Sequence, residues 1–444
     1  MAGLAAIAAA GVGARIPARS STATVVGLTG GIGMGKSSAA AWFRRCGFRV
    51  HDADATVHSL YAAGGAAVEP VCAAFPSARG ADGGIDRAAL SAAVATAGRE
   101  ASLQRLEEIV HPLVTEERAG FVRRAGEEGE WLVVVDVPLL LETLRDEAAL
   151  RAQVDVVLLV SCSAAEQRRR CLARPGMSEP KLESILARQL PDADKRARAD
   201  FVVDTGLSSG VAETRAQLAR FVESVRASQP DRWGGWLRQP RACPARGGGR
   251  AGGGGGSVAC ITFDLDETCW PTMPPIDAAR RAMEPLLAEA MPRSHESGAL
   301  ASLGGAFRAL REERPLIAHD MLELRAAALS RVAEEHGEAL SSQQVAALGE
   351  AFITARSQTG DHLFTDVAGT VARLRAAGYV VGAITDGNAD VARDALTAPL
   401  FDFAITAADA GCHKGSMPPF LMAAQAAGCH VSQLARHSRE DPPS

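Results

Sequence analysis

Between Val25 and Phe43 the chain reads VVGLTGGIGMGKSSAAAWF. Gly30, Gly35, Lys36 and Ser37 satisfy G-x-x-x-x-G-K-[ST], with an apolar run before them and a helix-forming run after. Glycines let successive backbone N–H groups turn inward around an anion, and the following helix adds the positive end of its dipole. A chain carrying this segment is committed to a buried strand, a tight loop and a helix packed back on a parallel sheet. Gly30, Gly31, Gly33, Met34, Gly35, Lys36, Ser37 and Ser38 are expected to hold nucleotide phosphates. Lys36 would reach the β- and γ-phosphates, and the Ser37 hydroxyl would ligate Mg²⁺. Met34 fills a variable position, so its side chain should point away from the phosphates. The acceptor stays open, because GTPases, motor ATPases and small-molecule kinases share the loop.

The surrounding text extends the pattern. TVVGLT (Thr24 to Thr29), EWLVVVDVPLL (Glu130 to Leu140) and VDVVLLVS (Val154 to Ser161) read as parallel strands buried on both faces, with RVHDAD and DFVVDT as two more. Helical patterns lie between them, which predicts an α/β parallel sheet with helices on both faces over residues 23–227. Residues 228–257, rich in Gly, Pro and Arg, read as a flexible linker. At VACITFDLDET a second domain, 258–444, begins. Residues 1–22 hold no acid and two arginines, the composition of a plastid or mitochondrial transit peptide or of an unstructured extension. Without targeting, a cytoplasmic location is expected. A net charge of -5 gives no case for nucleic acid as a bulk partner, and no apolar run is long enough to span a bilayer. The nine cysteines form no CxxC pair and read as the reduced thiols of an intracellular protein.

GLTGGIGMGKSSAA, HDADATVH, IVHPLV, DVPLLLE, RRRCLARPGMSEPKLESILARQ and ARADFVVDTG, in that order, resemble the landmarks of the dephospho-CoA kinase family. The resemblance implies transfer of the γ-phosphate of ATP to the ribose 3′-hydroxyl of dephospho-CoA. It makes Asp54 the base that contacts the acceptor hydroxyl, with Asp52 capping the helix that follows. Asp136, ending a Val-rich strand, would hold Mg²⁺ through water. Leu139 and Leu140 would pack under the acceptor, Glu142 would add a weaker polar contact, and His111 would border the CoA-binding part. Arg170 and Arg174, four apart on a helix, would sit on a mobile lid and neutralise charge on the transferred phosphoryl. The loop departs from the family in ending Lys-Ser-Ser instead of Lys-Ser-Thr. Two rivals stand beside this reading: another P-loop kinase of nucleosides or small metabolites, and a non-catalytic nucleotide-binding scaffold.

In the second domain FDLDET (Phe263 to Thr268) is D-x-D-x-T at a strand end. It resembles motif I of the haloacid dehalogenase superfamily, an α/β Rossmannoid fold with a helical cap, here expected from Trp270 to about Ala355. The resemblance makes Asp264 the nucleophile and Asp266 the general acid, both at a Mg²⁺ site, with Thr385 and Lys414 contacting the substrate. The Pro expected after the motif III lysine is Gly415. VSQLARHSREDPPS, after AAQAAGCH, contains no Gly-Asp pair, so the last strand and one metal carboxylate are expected to be missing. Glu440 and Asp441 read as a polar tail. Either the domain is degenerate or the gene model is cut at a wrong splice junction, and phosphatase activity should be weak or absent.

Overall fold

The computed structural model describes residues 23–96, 99–207, 210–238 and 258–438. The proposed targeting segment, most of the linker, Glu440 and Asp441 lie outside them. Contacts divide the chain into two units. The first takes residues up to 44, with 48–202 and 231–236; the second takes 45–47, 203–230 and 237 onward. The helix Val211–Ser228 is therefore counted with the second unit, not with the first as the expected break at 228 would have it.

The first unit is built on a sheet of order β2-β3-β1-β4-β5: β1 (Thr24–Thr29), β2 (Arg49–Asp52), β3 (Leu132–Asp136), β4 (Val156–Ser161) and β5 (Phe201–Asp204). β1 runs parallel to both β3 and β4, and β2 runs parallel to β3. Every residue of β1, β3 and β4 is buried, which is why these strands read as unbroken apolar runs. Chain order jumps from one side of β1 to the other between β3 and β4. That leaves a crevice beside β1 at the carboxyl edge, where doubly wound sheets place ligands. A separate apolar cluster of Val68, Val71, Phe75 and Leu90, flanked by Leu106, Ile109 and Val110, supports the long helix Arg99–Glu127.

Part of the expected linker is helical. Pro230–Leu237 is a helix whose Trp233 and Trp236 are buried, and Trp233 meets Trp131 edge-on with ring centroids 5.1 Å apart. Two indoles three residues apart share one helix face and outweigh the glycines between them.

The second unit carries a sheet of order β8-β7-β6-β9: β6 (Cys260–Phe263), β7 (Val380–Thr385), β8 (Phe403–Thr406) and β9 (Leu434–His437). The final strand, expected to be missing, is present: β9 lies parallel to β6, and the His437 ring packs on Phe263. Between β6 and β7 stand the helices Met273–Ala290, Leu303–Glu313, Met321–Glu335 and Ser342–Arg356, close to the expected cap. Met283, Leu287, Leu329, Val332 and Phe352 form the core of that helical group. No helix is long and apolar enough to cross a membrane among the described residues.

Candidate active sites

Residues 30–35 close the loop between β1 and the helix Lys36–Arg45. Gly33 and Gly35 have φ of +76° and +97°, where a side chain is strained. A Cβ on Gly30 would stand 2.6 Å from the Val160 carbonyl oxygen, so the loop lies tight on β4. Met34 is buried, and its sulfur meets the Cys162 backbone N–H at 3.1 Å. Ser37 and Ser38 are exposed on the first turn.

Lys36 reaches across to β3, with Nζ 2.5 Å from Asp136 Oδ1. Burial pushes the Asp136 carboxyl above its ordinary range, against the hydrogen bond from Lys36. Asp52 faces Asp136 across the β2–β3 register and caps the helix Ala53–Tyr61, accepting from the Asp54 and Ala55 backbone N–H groups. Asp54 stands two residues past the end of β2, in the first turn of that helix, with its side chain exposed. Asp52 is thus engaged with the backbone, while Asp54 is exposed.

The remaining candidates divide. Leu139 is exposed, whereas Leu140 is fully buried beside Gly27. Glu142 is engaged through one oxygen: Lys195, only 2% exposed, places Nζ 2.6 Å from Glu142 Oε1, which also accepts the Leu190 N–H. The expected acceptor contact is a buried ion pair in this structure. Its lysine gave no sequence signal beyond lying in the charged run DADKRAR. His111 is exposed on the helix Arg99–Glu127, just before Pro112.

Arg170 and Arg174 do not share a helix face. The helix Ala164–Leu172 ends before Arg174, and Pro175-Gly176 turns the chain, with Gly176 at φ +71°. Arg169 and Arg170 both bind Glu166, Arg169 foremost holding its carboxyl down to about 2. Arg168 binds Glu179 and Glu183 on the next helix, Glu179–Leu186. Arg174 is exposed.

In the second unit Asp264 follows β6, and Lys414 Nζ lies 2.6 Å from its Oδ2. Its Oδ1 accepts the Leu265 N–H. Asp266 Oδ1 accepts from the Trp270 indole N–H at 3.0 Å and from Arg356, a fully buried guanidinium at the end of the cap helix Ser342–Arg356. Trp270 thus ties down the loop that carries Asp266, and Arg356 was not singled out from the sequence. Thr385, at the end of β7, accepts the Gly387 N–H on Oγ1. Asp386 accepts the Lys414 backbone N–H; burial raises its pKa, but His413 and this N–H outweigh that and lower it.

Both Asp264 and Asp266 are therefore engaged by cations. No group of three or more His, Cys, Asp or Glu side chains poised for a metal occurs among the described residues. This donor set does not fit Mg²⁺, which needs several free oxygen ligands. The first unit does better: an exposed Ser37 hydroxyl and the strand-end Asp136 carboxylate are the hard oxygens such an ion takes.

A strand, a glycine loop, a lysine and a strand-end acid at the switch point define the first unit as a P-loop nucleotide-binding fold. The comparisons narrow this. Residues 24–209 match the family model for dephospho-CoA kinase. The enzyme of that name from Rhodopseudomonas palustris (strain BisB18) is 49% identical over 208 residues, 47% of this chain and 98% of the relative. That of Jannaschia sp. (strain CCS1) is 51% identical over 201 residues, 45% of this chain and 96% of the relative. The chain belongs to the dephospho-CoA kinase family. Residues 258–435 match the model for haloacid dehalogenase-like hydrolases. A 2-haloacid dehalogenase structure from Pseudomonas syringae pv. tomato DC3000 is 32% identical, with 40% of this chain and 76% of that chain covered and a TM-score of 0.34.

Proposed function

We propose that the first unit transfers the γ-phosphate of ATP to the ribose 3′-hydroxyl of dephospho-CoA, giving CoA. The reading rests above all on the complete phosphate loop whose lysine is 2.5 Å from a strand-end acid, within a segment that spans nearly the whole length of named dephospho-CoA kinases. On this reading the main-chain N–H groups of residues 30–38 grip the triphosphate, and Lys36 leaves Asp136 for the β- and γ-oxygens. The exposed Asp54 carboxylate accepts a hydrogen bond from the 3′-hydroxyl, aims it in line at the γ-phosphorus and takes its proton. Arg170 and Arg174 move onto the departing charge, and arm closure keeps water from competing. Leu139 and His111, both exposed, are placed on the acceptor side. Mg²⁺ held by Ser37 and Asp136 would supply charge neutralisation at the phosphates.

The test is ATP plus dephospho-CoA with product identified by mass. CoA should form with wild type, disappear with Lys36→Ala, and form far more slowly with Asp54→Asn while ATP still binds. Equal turnover of adenosine or nucleoside monophosphates would favour the small-metabolite kinase, and ATP binding without transfer the scaffold. For the second unit we propose a carboxylate nucleophile, Asp264, with Lys414 and Thr385 beside it. Its hydrolase activity is expected to be low, because Asp266 is held by Arg356 and Trp270.

A further inference from the structure

The arginine-bearing arm and the phosphate loop meet at one residue. Ile32 donates its N–H to Gln189 Oε1 at 3.3 Å and receives Gln167 Nε2 on its carbonyl at 2.9 Å. Gln167 is buried on the helix Ala164–Leu172, the first limb of the arm. Gln189 comes three residues after the second limb, Glu179–Leu186. The two amides thus stand at the two roots of the segment that carries Arg168, Arg169, Arg170 and Arg174, and both close on the loop. Their orientation follows from the partners: a backbone donor must face Oε1 and a backbone carbonyl must face Nε2.

The contact is close enough to transmit movement. A Cβ on Gly31 would meet Gln189 Oε1 at 3.0 Å and Gln167 Nε2 at 3.3 Å, and one on Gly33 would meet Cys171 Sγ at 2.5 Å. The loop is therefore packed closely against both limbs. The second root is fixed in turn, since Leu190 donates its N–H to Glu142, the partner of buried Lys195.

We propose that Gln167 and Gln189 are positioning residues that clamp Ile32, so that phosphate binding in the loop and the disposition of the arginine arm form one equilibrium. Neither touches the reacting atoms. Their effect is that a filled loop draws the arm in and an empty loop lets it stand off. The turnover expectation rests on the proposed kinase reaction; the coupling itself does not.

The experiment is trypsin cleavage of the full-length protein at the arm arginines, with and without a non-hydrolysable ATP analogue, for wild type, Gln167→Ala and Gln189→Ala. In wild type the analogue should slow cleavage between residues 168 and 188. In both variants that protection should fall about tenfold, the scale of one lost hydrogen bond, while the analogue still binds at one equivalent. CoA formation should show a lower kcat with little change in the KM for ATP. The double variant should lose less than the product of the single losses, because both side chains hold one residue. Absence of nucleotide protection in wild type overturns the coupling, as do full protection in both variants or multiplicative losses. Loss of analogue binding in step with protection would mark the glutamines as merely structural. A wild type that protects its arm but makes no CoA would refute the proposed reaction and leave the clamp standing.

Discussion

Replacing Lys195 by Met tests whether Glu142 is a structural ion or a substrate contact. The two charges are 2.6 Å apart, and their side chains are 2% and 10% exposed. At an effective dielectric of about 20 the attraction is roughly 6 kcal/mol, most of it offset by dehydrating both ions. Deleting one partner strands the other, at a typical cost of about 3–5 kcal/mol. Glu142 keeps the Leu190 N–H, so the lower end, about 3 kcal/mol, is the expected loss. Four of the five tryptophans, Trp42, Trp131, Trp233 and Trp236, lie in the first unit, so urea unfolding followed by indole fluorescence reports chiefly on it. With an m-value of about 2 kcal/mol/M the midpoint should drop by roughly 1.5 M. Lys195→Met with Glu142→Leu should recover much of that drop, since no charge is then left buried alone. A Lys195→Met midpoint within about 0.2 M of wild type would refute the reasoning, that being the scale of a surface substitution. Were Glu142→Gln to raise the KM for dephospho-CoA without moving the midpoint, Glu142 would return to the acceptor site.

Burial first, then the neighbouring His413, lowers the His319 pKa to about 4. Its folded pKa lies below the unfolded value, so the second unit should lose stability as pH falls from about 6.5 to 4, by about 3 kcal/mol in all, and His319→Gln should flatten that slope in acid-titrated unfolding. Release of p-nitrophenol from p-nitrophenyl phosphate should be slow and should vanish in Asp264→Asn; turnover unchanged by that variant would remove Asp264 from the nucleophile's role. Arg356→Gln should destabilise the second unit by about 3 kcal/mol or more, read in differential scanning calorimetry, because it leaves Asp266 with only the Trp270 N–H. A melting point unchanged by the substitution would mean that the pair bears no such strain.

What could be read from the sequence followed from burial. β1, β3 and β4 are covered on both faces and show as apolar runs, and the phosphate loop is fixed by glycines that no other residue replaces. β9, in contrast, has only four residues, LARH, half of them exposed, so no pattern announced it. The helix Ala164–Leu172 was read two residues too long, although Pro175 disfavours helix at Arg174. Gln167, Gln189 and Lys195 act through long-range partners, 135, 157 and 53 positions away on Ile32 and Glu142 (Lys195 minus Glu142 being 53), and side chains of that kind give no local period. Asp52 and Asp54 could be told apart because capping is local: the first accepts from the second's own N–H.

The two units place a lysine on a strand-end aspartate in the same way, Lys36 on Asp136 and Lys414 on Asp264, at 2.5 and 2.6 Å. The similarity ends with what surrounds each pair. Around Lys36 the loop offers a set of N–H donors, and burial disfavours the charge on Asp136, so a triphosphate can compete with it for the ammonium. Around Lys414 the neighbouring acid is itself locked to Arg356 and Trp270, so freeing Asp264 would leave charge uncompensated in a half-buried loop. Nucleotide should therefore lower the cost of moving Lys36, whereas orthophosphate should hardly disturb the pair in the second unit. Titrating each ligand against the ¹⁵Nζ resonances of the two lysines distinguishes these cases: Lys36 should shift with the ATP analogue, and Lys414 should hold its position in millimolar phosphate. A Lys414 resonance that moved with phosphate while Lys36 stayed fixed with the analogue would reverse the assignment of the working site.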